Sequence, residues 1–541
     1  MNSVYIQRII MKKQQNNKRS NNIIKISFAV LIALFALSYF FIHVFCFKRY
    51  ATSDVYSDML YAMEAWDAKS IFPDGWVFGN QLYTVATPVL CSLIYGICGN
   101  ITASMICATI IMGVLTVLSF IWMLKPIKNE TATLAALLLL LGGIITPNIA
   151  TEPEGQLLFI LASYYSCYLI TFCITIGDYI RVLNNERRHI ISLSSLLAYV
   201  LLFATGMQSI RQTAILIIPL FGYELLRCFT AVIRKSFDNT NLRSVLSVCL
   251  YTVANVSGLI FVKALNVPQI SIYGDIKLSA NIAEAHSVNM RILGKLTGIY
   301  FAVNEPQKIL YIIPSVIITA LTLISLIIGL IKAIKNKHSD NIFTIQSIIF
   351  ISLLGLFCAN LLLDMSFRTT YMFLYYALTA VSIAALTEKA KPALRNIIAI
   401  LICVACVCNW TVGFLPAIRE SKMTEEQEDY IEIANHLNET EYEYLYGDWY
   451  TATMTALHTD GKIRAYCSFG GLFEVLPYIN PQKVYGEEFN DRAVYLIPSE
   501  KLGEAKVYAS KKGATLTNIQ SLGDGKYYIF ESDIPLMYTP N

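Results

Sequence analysis

The chain has 541 residues, 55% of them hydrophobic and only 15% charged, with a formal net charge of +4. Soluble domains are nearer half apolar and about a quarter charged, so an ordinary soluble enzyme is excluded. Runs such as 26-ISFAVLIALFALSYFFIHVFCF-47 and 309-ILYIIPSVIITALTLISLIIGL-330 are each long enough to cross a bilayer as a helix, and the chain is predicted to be a polytopic α-helical membrane protein.

Residues 1–22 form a basic leader with Arg8, Lys12, Lys13, Lys18 and Arg19. The apolar core after it is too long for a cleavable signal and ends in Phe-Lys-Arg-Tyr, which predicts an uncleaved first span with a cytoplasmic N-terminus. No carboxylate precedes Asp54; several then arrive together in 51-ATSDVYSDMLYAMEAWDAKSIFPDGW-76, where the chain leaves the first span. A helix here sets Val55, Met59, Ala62, Met63 and Trp66 on one face and Asp54 and Asp58 on the other. That pattern predicts a helix along the membrane surface, with Trp66 and Trp76 at headgroup depth. Its polar face is either simply solvated or carries a catalytic base. A carboxylate held there can accept a proton from a hydroxyl nucleophile.

The stretch 82-LYTVATPVLCSLIYGICG-99 is short, contains Pro88, and is expected to dip into the outer leaflet as part of a first external loop over 48–100. Basic connections at 125–130, 181–189, 234–243, 335–340 and 388–395 alternate with weakly basic ones. The positive-inside bias then predicts about eleven crossings, between 23 and 417. A long external loop at 264–307 carries Asp275, Glu284, His286 and Arg291; it is either a closing element or a plain connection. The cysteines mostly lie within spans and read as packing residues.

Arg211 and Arg368 lie at external helix ends, against the bias. An Arg fork suits a phosphate, although each also has candidate ion-pair partners in Asp364, Glu152 and Glu154. The spans carry almost no charge near their middles, since His43, Asp178 and Glu224 fall toward helix ends. A transporter would place ionisable groups at the midplane, so the pattern favours work at one membrane face.

Residues 418–541 form a polar, acidic tail. Thr424 and Gln427 make a capping box before an amphipathic helix. Strand-like runs at 442–447, 462–469, 493–498 and 526–532, with a helix at 450–460, predict a soluble extracytoplasmic α/β domain that opens β-α-β.

These features together resemble the GT-C superfamily of membrane glycosyltransferases, in the branch of protein O-mannosyltransferases and the lipid A aminoarabinose transferase. The family pattern Asp-x-x-x-Tyr-x-x-x-Ala after the first span is matched by Asp54, Asp58 and Ala62. The dip and second span at 86–124 are also similar, as are Arg211 ahead of Pro219-Leu220 and Arg368 with Tyr371 before a late span. Two departures are Val55 in place of the family's frequent Glu and Asp58 in place of its tyrosine. They leave open which of Asp54 and Asp58 is the base, and whether a divalent cation is bound.

The resemblance implies inverting transfer of a sugar from a polyprenyl-phosphate donor to an extracytoplasmic acceptor. Asp54 or Asp58 would be the base, Arg211 and Arg368 would hold the donor phosphate, and Glu152, Glu154, Asp364 and Tyr371 would support them or the acceptor. A non-catalytic envelope scaffold or lipid-linked sugar flippase is the alternative, and a lipid-diphosphate-dependent glycan polymerase or ligase is a third. Nothing in the sequence points to a nucleic-acid partner.

Overall fold

The structure is a computed structural model. It describes residues 2–152, 158–186, 191–270, 277–279, 281–305, 308–334, 340–364, 368–420, 423–469, 471–481 and 492–538. Glu154 and Asp275 lie outside the described residues, and Asp364 is described only in its backbone.

Among the described residues nine helices are long and apolar enough to cross a membrane, from Arg19–Phe45 to Pro392–Arg419. Two further expected crossings are shorter helices, Glu130–Gly142 and Leu193–Gln208. One helix runs from Asn2 to Phe45 and so carries the basic residues of the leader as well as the first span. The expected dip is the twelve-residue helix Thr87–Cys98, with Pro88 in its first turn and Gly99 ending it in the left-handed region at φ 70°. Both features follow from proline lacking an N–H and glycine lacking a Cβ.

Pro219 shapes the approach to Arg211. Lacking an N–H, it cannot bond the carbonyl of Ile215; the chain widens into a π-helical turn over Thr213–Ile217, and Ser352 Oγ donates to the freed carbonyl at 2.7 Å. A π-bulge of this kind often marks a functional segment.

The tail folds as a five-stranded sheet. Its strands are β1 (Tyr444–Asp448), β2 (Arg464–Ser468), β3 (Ala493–Pro498), β4 (Leu516–Leu522) and β5 (Tyr527–Ser532). Their order is β2-β1-β3-β5-β4; β1 pairs parallel with β2 and β3, and β5 pairs antiparallel with β3 and β4. Helix Trp449–Leu457 makes the β1-to-β2 crossover. The capping box forms, with Gln427 N–H donating to Thr424 Oγ1 at 3.2 Å and Thr424 N–H to Gln427 Oε1 at 3.0 Å. Strand β4 and helix Leu502–Lys512 add to the four expected strands.

The stretch at 264–307 is built rather than plain. Helices Ile282–Leu296 and Ile299–Asn304 occupy it, and Ile270 N–H bonds the carbonyl of Phe78 at 2.9 Å.

Candidate active site

Helix Ser53–Asp67 is the element on which the carboxylates sit. Every residue from Val55 to Ala65 is inside the protein, so the helix is covered on both faces and its polar face is not simply solvated. Trp76 is only 1% exposed and packs edge-on against Tyr61 at 5.5 Å. Trp66 lies against Gly96 of helix Thr87–Cys98, where an added Cβ would fall 2.3 Å from its ring. An amphipathic pattern specifies which face is apolar and not what covers it; here the polar face is covered as well.

Asp58 is 2% exposed. Its Oδ1 accepts from the Tyr83 hydroxyl at 2.8 Å, and its Oδ2 has no hydrogen-bond partner among the described residues. Burial raises its pKa to about 8, the Tyr83 hydrogen bond opposes this, and the neighbouring Asp54 charge adds to it. Asp58 therefore holds its proton far more tightly than an exposed carboxyl does. Asp54, one turn earlier, opens to solvent yet is walled by protein on most sides. Burial raises its pKa, against the lowering effect of the Arg368 guanidinium nearby.

Tyr164 completes the acid end. Its phenol is kept neutral first by burial and then by the Asp54 and Asp58 charges, and its hydroxyl is buried without a partner among the described residues.

Arg211 sits at the other end. It donates to Gln81 Oε1 at 2.5 Å, and its guanidinium lies 5.9 Å from the Tyr165 ring centre and 5.6 Å from that of Tyr371. Tyr168 OH donates to the same Gln81 oxygen at 3.1 Å. The described partners of Arg211 are aromatic rings and an amide, with no carboxylate among them. Among the described residues, then, no acid neutralises this half-buried fork.

Three short segments tie the two ends together. In the first, Gln81 reaches Arg211 while Tyr83 reaches Asp58. In the second, Tyr165 faces Arg211 while Tyr164 faces both acids. In the third, Tyr371 faces Arg211 while Arg368 acts on Asp54. Asp54, Asp58, Arg211, Arg368 and Tyr371 are therefore brought to one recess. Glu152 is half-buried in a turn after Asn148, within electrostatic reach of Tyr311. Glu284, His286 and Arg291 are exposed on their helix.

Sequence reasoning missed Gln81, Tyr83, Tyr164 and Tyr165. Nothing in a single sequence marks them, because they come from loops far apart in the chain. Among the described residues no group of three His, Cys, Asp or Glu side chains is placed to hold a metal.

No protein-family model and no curated protein matches the chain. Solved structures do match. One is apo ArnT from Cupriavidus metallidurans, an aminoarabinose transferase of the GT-C type, at 10% identity and TM-score 0.51; the match covers 95% of this chain and 99% of that one. The same protein bound to undecaprenyl phosphate matches at 10% identity and TM-score 0.49, over the same shares. The likeness is one of fold: nearly the whole chain, membrane helices and C-terminal sheet together, is ArnT-like.

Proposed function

We propose that the protein is a GT-C-type glycosyltransferase that moves a sugar from a polyprenyl-phosphate donor to an acceptor hydroxyl outside the membrane. The observation that carries this reading is the pairing, across three shared segments, of an ionisable acid with an arginine fork that no described carboxylate neutralises. The GT-C fold supports it.

Asp54 is the base. It accepts the acceptor's proton, the hydroxyl oxygen attacks the anomeric carbon, and the carbon–oxygen bond to the phosphate breaks. The electron pair stays with the departing polyprenyl phosphate, and the displacement inverts the anomeric centre. Arg211 and Arg368 bind the phosphate and stabilise the charge that develops on it, which fixed cations in a partly dry site do well. Asp58 is deeply buried and its carboxyl is held above the usual range; in this reading it and the Tyr164 hydroxyl offer hydrogen bonds to sugar or acceptor hydroxyls. In this reading the chain comprises a cytoplasmic leader at 1–22, a membrane domain at 23–417 and an extracytoplasmic α/β domain at 418–541.

The test is sugar release from synthetic polyprenyl-phosphate hexoses by the full-length protein in nanodiscs. Turnover by wild type that is lost in Asp54→Asn, with donor binding retained, is the expected result. No turnover across a broad donor panel overturns the transfer reading in favour of a scaffold. Dependence on a lipid diphosphate points instead to the polymerase class.

A further inference from the structure

The two faces of helix Ser53–Asp67 meet different partners. At about 100° per residue, Asp54, Asp58 and Tyr61 share one side, Tyr56, Met63 and Asp67 lie opposite, and Glu64 flanks the two, about 80° round from Asp54. The first group faces the recess. The second, with Glu64, is gripped by β2 of the C-terminal sheet and the turn before it.

Four contacts form the grip. The Ala465 N–H donates to the Tyr56 hydroxyl at 2.8 Å. Arg464 Nη1 meets Glu64 Oε1 at 2.9 Å, and the Tyr466 hydroxyl donates to that same oxygen at 2.9 Å. Arg464 also pairs with Asp67. Glu64 has only 8% of its side chain exposed, and a buried carboxylate needs such a partner. Gly461, in the turn before β2, has φ +91°, and a Cβ there would come 3.4 Å from Met63 Sδ and 2.9 Å from Ile101, so the turn packs against the helix at Met63 and leaves no room for a side chain beside Ile101.

We infer that Arg464 is a positioning residue: acting through Glu64 and Asp67, it fixes the rotation of the helix that presents Asp54 to the recess, which makes the C-terminal domain part of the active-site scaffold. This rests on the proposed transfer reaction. A rotation by one residue would carry Asp54 about 100° away from the recess, and misplacements near 1 Å can lower rates about a hundredfold.

The test compares wild type, Arg464→Ala, Arg464→Lys and, as a control, Arg492→Ala. The last removes an ion pair to Glu443 on the same domain, with neither partner on the helix. Donor turnover and hydrogen exchange of the 53–67 amides are both measured on full-length protein in nanodiscs. Arg464→Ala is expected to speed exchange across the helix and to lower kcat about a hundredfold, with donor KM within about twofold because Arg211 is untouched. Arg464→Lys, which keeps a cation, should recover about tenfold of the lost kcat, and the control should match wild type. If Arg464→Ala does not assemble, Glu64→Gln keeps the shape, removes the buried charge and carries the same direction of change.

Faster exchange with unchanged kcat overturns the inference, as does a rise in KM alone or exchange identical to wild type. A wild-type protein without turnover defeats the transfer reading instead, while the exchange comparison still decides whether Arg464 holds the helix.

Discussion

Asp58→Asn is the substitution whose effect the structure specifies most fully. The carboxyl is buried, one oxygen accepts from Tyr83, and the other has no partner among the described residues. Its folded pKa of about 8 stands above the ordinary value of 3.8. Between these two values the folded state keeps a proton that the unfolded state has released, so stability falls as pH rises and then levels off above the folded pKa. The whole window corresponds to about 6 kcal/mol at 1.36 kcal/mol per pH unit. The part between pH 5.5 and pH 8 is about 3 kcal/mol. Asparagine keeps the acceptor for Tyr83 and does not titrate, at the cost of an unpartnered amide worth about 1–3 kcal/mol at every pH. A chain of 541 residues unfolding as one unit shifts its midpoint by roughly 1 °C per kcal/mol. The variant should therefore gain about 3 °C on wild type when both are moved from pH 5.5 to pH 8.5. Thermal unfolding of both proteins in the same detergent at the two pH values reads this out. A gap independent of pH, or one that moves in wild type's favour on the alkaline side, would refute the account of Asp58 as a buried neutral acid.

The acid limb of kcat/KM should lie above the usual carboxylate range near pH 4, because burial raises Asp54. Arg368→Gln should push that limb to higher pH, since removing a nearby cation disfavours the carboxylate; a pH–rate profile with the limb unmoved or lowered speaks against Asp54 as the base. Arg211→Lys should lower kcat/KM for a polyprenyl-phosphate donor by about tenfold or more, because an ammonium cannot reproduce the two-pronged fork; steady-state kinetics that match wild type would remove Arg211 from the phosphate site. Gly96→Val should cost about 1–3 kcal/mol through overpacking, since even a Cβ there meets the Trp66 ring, and an unchanged thermal midpoint would show that Trp66 is free to move.

Some of this was legible in the sequence because it is written locally. The capping box at Thr424 and Gln427 needs only residues three apart, and the dipping helix begins at a proline and ends at a glycine for reasons internal to each. Strand β4 escaped notice because Thr517 to Ser521 are all exposed; with one neighbour, β5, it shows no alternation of buried and exposed positions. Asp54 and Asp58 were visible as the first acids after a long uncharged span, yet their difference was not. It comes from Tyr83 on one loop, Arg368 on another and the depth of burial, none of which a four-residue spacing encodes.

What covers helix Ser53–Asp67 was illegible for a related reason. Helical spacing correctly divides Ser53–Asp67 into two faces, but bilayer, bundle and soluble domain all satisfy an apolar stripe equally well. What decides among them is Arg464, some 400 residues downstream, which supplies the one charge that Glu64 needs to be buried. Glu64, a buried acid late in the helix, is matched by this distant cation. In this chain it marks where the C-terminal domain closes over the helix that carries Asp54.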